Sequence, residues 1–400
     1  MTPRKPHMIL HIGAPKCGSS ALQTALSMTP DLRAADGTQY RYTAAHSLGG
    51  KWRVEHGTRL TNLAKMSAYG YITWPNLARA QSVPKYFDTM RKVLQQGQRE
   101  GHVPILSCEG WINHANTFGE NLAEWDHPPV DVVVFLRPVV DWMNAAFWQW
   151  GVWSNHQLDG WMARSNMPYS FADDIAAWAK IPNVRIIVRS QRPDVLAKFA
   201  TLYDLDLEGE RQSNVSSSPA LIGFLMRNRK YRPTGHEGAN EFIVQRWCPP
   251  VLSEKLWAVG TRHVQKLRKV SMRSLRVFKE TLEPEDIEDL LTDPRWTDER
   301  PYHADIRKGV TGLNDPAYCV PLYEALCAGA VRACDKAGLP PPECPAPLDQ
   351  GASIQEWDAI TIVVLEKLLA ADAAVRTKVL PLWERQALRL VLKMRNFRKA

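Results

Sequence analysis

Residues 8–23 read Met8-Ile-Leu-His-Ile-Gly-Ala-Pro-Lys-Cys-Gly-Ser-Ser-Ala-Leu-Gln23. Met8–Ile12 is apolar apart from His11, which is the pattern of a strand covered on both faces. A short loop carrying Gly13 and Gly18 follows, and then Ala21, Leu22, Ala25 and Leu26 recur at helical spacing through Ser19–Met28. A strand that feeds a glycine loop into a helix N-terminus presents backbone N–H groups and the positive end of the helix dipole. The segment therefore predicts a cradle for a phosphate.

Outward from this segment, three further apolar runs predict buried strands: Val103–Ser107, Val130–Leu136 and Val184–Val188. Helical patterns alternate with them, the clearest being Val139, Val140, Met143, Ala146, Phe147 and Trp150, a stripe that assigns Trp150 to the core. Such alternation is the signature of crossover units in a parallel sheet. From about Ser216 the strand signal fades. Helices are expected over Pro219–Arg229, Asn240–Trp247, Ser253–Lys279, Pro284–Leu291, Pro321–Lys336 and from Ile354 to the end. The Pro-rich stretch Leu339–Leu348, followed by the capping box of Ser353 and Glu356, predicts a boundary near 345. One domain would then span 1–345, with a sheet core over about 8–218 completed by helices over 219–345, and residues 346–400 would form a C-terminal helical appendage.

With 45% hydrophobic and 23% charged residues, the 400-residue chain has the composition of a folded protein, which excludes wholesale disorder and collagen-like repeats. No apolar run is long enough to span a membrane. His7, His11 and the glycine loop interrupt the N-terminal apolar stretch, so it does not read as a secretory signal and a cytoplasmic chain is expected. Seven cysteines without a C-x-x-C pair or a cysteine-histidine metal spacing read as free thiols, and no metal is expected. The net charge of +8 favours anionic partners. It is unevenly placed: Arg262–Lys279 and Arg385–Lys399 are both rich in Lys and Arg and free of acids. As solvated faces these stretches need no ligand; beside an acidic acceptor they would steer it.

The glycine loop departs from the Walker pattern G-x-x-x-x-G-K-[ST]: Gly13, Gly18 and Ser20 are kept, position 19 is serine, and the lysine stands at 16. Lys16 thus lies within the loop, beside whatever departs from a bound 5′-phosphate. Val132–Leu136 ends in Arg137 rather than in an aspartate for magnesium, which weakens an ATPase or kinase reading. A magnesium-free transfer remains, in which a sulfuryl group carries less charge than a phosphoryl group and a lysine stabilises the leaving oxygen. Arg137, between a buried strand and a helix, can grip a phosphate with its guanidinium fork, or else pair with Asp141. An acceptor hydroxyl needs a base within hydrogen-bond reach. Glu109, just past Val103–Ser107 at the carboxyl end of the sheet, is the first candidate, His114 the second and His11 the third, with a core role the competing reading for His11.

These residues resemble the sulfotransferase superfamily, specifically the bacterial carbohydrate-type enzymes that use 3′-phosphoadenosine 5′-phosphosulfate. His11–Gln23 is similar to that family's 5′-phosphosulfate loop, with Cys17 where threonine or serine is commoner. Val134–Phe147 looks like its 3′-phosphate motif, although the serine usual eight residues after the arginine is Ala145 here. Arg211–Pro219 resembles the loop that closes over the nucleotide, and Leu282–Trp296 the C-terminal helices. The resemblance covers roughly residues 8–300. It implies an α/β fold, a three-layer parallel sheet of P-loop type with helices on both faces. It also implies nucleotide binding by Lys16, Cys17, Gly18, Ser19, Ser20, Arg137, Arg211 and Asn214, and transfer to a hydroxyl-bearing acceptor, a glycan, with no nucleic acid. Eight of the fifteen tryptophans lie between Trp111 and Trp178, so Trp142, Trp148, Trp153 and Trp161 either stack on acceptor rings or pack the core. Two alternatives stand beside this reading: a nucleotide-binding pseudoenzyme, and a nucleic-acid or membrane-surface protein that uses the basic helices.

Overall fold

A computed structural model of the chain describes residues 5–48, 51–80, 82–154, 157–165, 169–207, 217–251, 255–349 and 351–379. Its centre is a mostly parallel six-stranded sheet with helices around it. In chain order the strands are β1 (Met8–Gly13), β2 (Asp31–Arg33), β3 (Gln39–Tyr42), β4 (Ala44–Leu48), β5 (Lys51–Glu55), β6 (His102–Ser107), β7 (Val130–Leu136) and β8 (Val184–Ser190). The large sheet runs β2-β3-β6-β1-β7-β8, antiparallel only between β2 and β3. β4 and β5 form a separate antiparallel pair. Every residue of β1, β6 and β7 is buried, as strands covered on both faces must be.

All four expected strands are present. β2 and β3 were not anticipated, because each is only three or four residues long and places charged or polar side chains outward at the sheet edge. The first helix occupies Ser19–Met28, with Ala21, Leu22, Ala25 and Leu26 all buried. The long helix expected after Arg137 is instead broken into three pieces. It is α-helical over Val139–Ala146, makes a π turn over Phe147–Gly151, and resumes over Val152–Ser154. A wider turn rotates the residues beyond it off the apolar stripe. Trp150 is accordingly half-buried rather than a core residue. The helix expected from Ser253 begins at Thr261, where the Gly260 N–H donates to His263 Nδ1 at 3.1 Å and the chain turns into the helix.

The chain divides into two compact units. The first comprises Met1–Thr61, Tyr71–Asn214 and Trp257–Gly309, and contains both sheets. The second comprises Asn62–Gly70, Val215–Leu256 and Val310–Ala400. In it, the Cys319–Ala337 and Ile354–Lys378 helices pack together. Asp372, fully buried, accepts bonds from Arg246 at 2.7 Å, Trp247 Nε1 at 2.9 Å and Arg376 at 2.6 Å. The boundary expected near 345 thus falls inside the second unit, between two helices that share one core. Among the described residues no helix is long and apolar enough to cross a membrane.

Candidate functional site

Parallel pairing sets β6, β1 and β7 side by side with their carboxyl ends together, Ile9 opposite Ile105 and Leu10 opposite Val132. Each strand then delivers one charged side chain: Lys16 from the loop after β1, Glu109 just past β6, and Arg137 directly after β7. The loop after β1 is stapled to its neighbours. Ala14 N–H donates to Phe135 O at 3.1 Å, Cys108 N–H to His11 O at 3.0 Å, and Trp142 Nε1 to Pro15 O at 2.9 Å.

Two glycines allow this closeness. A Cβ on Gly13, whose φ is +119°, would lie 2.8 Å from the Glu109 carbonyl oxygen, so only glycine lets the loops after β1 and β6 meet. Gly18, at φ +95°, precedes the Ser19–Met28 helix, and a Cβ there would lie 2.5 Å from Val195 Cγ2. Among the described residues no side chain caps that helix start and no acid occupies its first turn, so its amide donors face the loop. Lys16 itself has φ +62°. Ser19 turns its hydroxyl back toward Ala14 O at 3.4 Å and is buried, whereas Ser20 is half-buried.

Lys16 Nζ donates to Gln149 Oε1 at 3.2 Å. Gln149 sits on the π turn, and sequence spacing gave no sign of it, because a regular helix would place that residue on another side. Glu109 is an exposed residue whose carboxyl nonetheless has protein around it. That desolvation raises its pKa above the ordinary glutamate value, with the Lys16 charge pulling the other way. The carboxyl and the ammonium therefore act on one another. His114 stands half-buried at the start of the Ala115–Glu124 helix, its pKa lowered by burial. His11 is fully buried, bonded through Nδ1 to Ser107 Oγ at 2.7 Å and tilted against Phe135. Burial pushes its pKa down to about 3, so it is a neutral core ring out of reach of an acceptor.

Arg137 hydrogen-bonds Gln191 Oε1, while its buried Nε has no hydrogen-bond partner among the described residues. It does not pair with Asp141, which is claimed by Arg192 at 3.1 Å, Arg295 at 3.0 Å and the Tyr302 hydroxyl at 2.9 Å. A narrow pocket opens beside Arg137, lined also by Cys17, Trp142, Ser170, Ser274 and Trp296. Cys17 is buried, which pushes its thiol up to about 11 against the opposing Arg137 charge. Ser170 Oγ and Ser274 Oγ lie 2.6 Å apart at this pocket, and both were missed in sequence because they stand 33 and 137 residues past Arg137. Asn144 does not serve here: its Oδ1 accepts from Ala258 N–H at 2.9 Å.

Trp142, Trp153 and Trp161 are buried, which makes them packing residues rather than a stacking platform. Arg211, Asn214 and the basic stretch 385–399 lie outside the described residues. Among the described residues no group of three or more His, Cys, Asp or Glu side chains could hold a metal ion.

No protein-family model matches the chain, no curated protein matches it, and no solved structure matches it.

Proposed function

We propose that this chain is a sulfotransferase that moves a sulfuryl group from 3′-phosphoadenosine 5′-phosphosulfate to the hydroxyl of a carbohydrate acceptor. The observation that carries the reading is the convergence of Lys16, Glu109 and Arg137 at the carboxyl ends of three adjacent parallel strands, beside a glycine loop and an uncapped helix start. The same features support a three-layer sheet of P-loop type. The residues present fit the donor: Gly13 and Gly18 let the loop close against Glu109 and Val195 ahead of an uncapped helix start, and the buried Arg137 Nε has no hydrogen-bond partner among the described residues.

Within this reading the amides of Gly18, Ser19 and Ser20 hold the 5′-phosphate. Lys16, drawn off Gln149, neutralises the oxygen that the sulfuryl group leaves. Arg137 holds the 3′-phosphate, with the Ser170 and Ser274 hydroxyls in place of the one absent at Ala145. Glu109, desolvated and therefore more basic than an ordinary glutamate, takes the acceptor's proton. The donor supplies the activated sulfuryl group. The absence of a disulfide among the described cysteines supports a reducing, cytoplasmic setting.

The test is transfer from labelled donor to a panel of glycans by the wild type and by Lys16→Ala. Loss of one oxyanion-stabilising group should cost about 10²–10³ in kcat. Wild-type turnover by a folded Lys16→Ala variant would refute the mechanism. Nucleotide binding by the wild type without transfer to any acceptor would replace the proposal with a pseudoenzyme.

A further inference from the structure

The Thr261–Thr281 helix carries opposite faces with opposite chemistry. Val264, Leu267, Leu275 and Phe278 are buried, and Phe278 lines the Arg137 pocket. On the other side Arg262, Lys266, Lys269, Arg273 and Arg276 are all exposed. Their steps of three and four residues hold them within about 80° of arc at 100° per residue, and they form a straight row about 21 Å long with a cation every ~5 Å. The helix has no acid before Glu280. Arg262 and Arg273 meet Asp159 at 2.6 Å and Asp173 at 3.4 Å, pairs of largely exposed side chains that water screens. Among the described residues Lys266, Lys269 and Arg276 have no carboxylate partner.

We infer that this row is a docking track for an extended anionic polysaccharide. A cation every ~5 Å along a straight line matches a linear polymer that carries about one charge per sugar residue. A lipid surface fits less well, because the helix spends its apolar residues on its buried face and exposes only Met272 among its large apolar side chains. A single-stranded nucleic acid fits less well too, since the row has no aromatic side chain on which a base could stack, and a duplex is set against the glycan in the test below. The track gives the proposed transferase a way to retain a chain that grows more anionic with each sulfation. That use rests on the transferase reading, but the binding itself needs no nucleotide.

The full chain, without nucleotide, is titrated against a fluorescently labelled chondroitin sulfate oligosaccharide over a range of salt. A DNA duplex and phosphatidylserine vesicles are run in parallel. The combined variant Lys266→Glu, Lys269→Glu, Arg276→Glu should bind the glycan at least about tenfold more weakly and with a shallower salt dependence. A control of equal charge change, Lys85→Glu, Arg91→Glu, Lys92→Glu, alters exposed residues of the Val83–Glu100 helix and should bind within about twofold of wild type. A neutral version, Lys266→Gln, Lys269→Gln, Arg276→Gln, gives the same ordering if charge reversal disturbs the helix. The inference is overturned if wild type does not bind the glycan, if the row variants bind it as wild type does, if the control loses as much, or if DNA or vesicles bind more tightly than the glycan. Because no donor is present, these outcomes are independent of whether sulfuryl transfer occurs.

Discussion

Gly18→Ala offers a quantitative check on the loop, because the structure says both what the added methyl meets and how to relieve it. At φ +95° any L side chain carries left-handed strain of about 1–2 kcal/mol. The new Cβ would also lie 2.5 Å from Val195 Cγ2, an overpacked contact costing about 1–3 kcal/mol more. The single variant should therefore lose about 2–5 kcal/mol. Val195 is 4% exposed, so Val195→Ala removes two buried carbons and costs about 1–2 kcal/mol by itself. In the double variant the 2.5 Å contact is gone while a 3.3 Å approach to the Cβ of residue 195 and the backbone strain stay, so the combined loss should fall short of the sum by about 1–3 kcal/mol. Urea denaturation of wild type, both single variants and the double variant gives this coupling energy directly. Additivity within about 0.5 kcal/mol would refute the close packing of Val195 against Gly18.

The assignment of Glu109 makes two linked predictions. Glu109→Gln should lower kcat by about 10²–10⁴, the usual worth of a positioned general base. A base works only when deprotonated, and desolvation raises this carboxyl's pKa. Wild-type activity should therefore be held at higher pH and fall as pH drops through a value above the ordinary 4.5. That acid limb should vanish from the kcat/KM profile of Glu109→Gln; if it persists unchanged, the proton goes elsewhere.

The central sheet was legible because β1, β6 and β7 are runs long enough to show double-sided burial and β8 has the buried centre Ile186–Val188. The edge strands were not, since three or four residues with charged outward positions look like loop. Likewise, Lys16, Glu109 and Arg137 could be singled out because each immediately follows such a run, and strand order alone then brings them together. Gln149 stayed hidden for a different reason. Its position depends on one wide helical turn, which side-chain periodicity does not encode and which also moved Trp150 off the core stripe. Ser170 and Ser274 reach the Arg137 pocket from distant segments, so their place there is a product of tertiary packing.

The most direct test of the convergence of Lys16, Glu109 and Arg137 is a crystal structure with 3′-phosphoadenosine 5′-phosphate bound. The account predicts the 5′-phosphate on the Gly18–Ser20 amides, Lys16 Nζ turned from Gln149 onto that phosphate, and the 3′-phosphate on Arg137 between Ser170 and Ser274. A nucleotide seated elsewhere, with Lys16 still bonded to Gln149 and the Arg137 pocket closed, would contradict it.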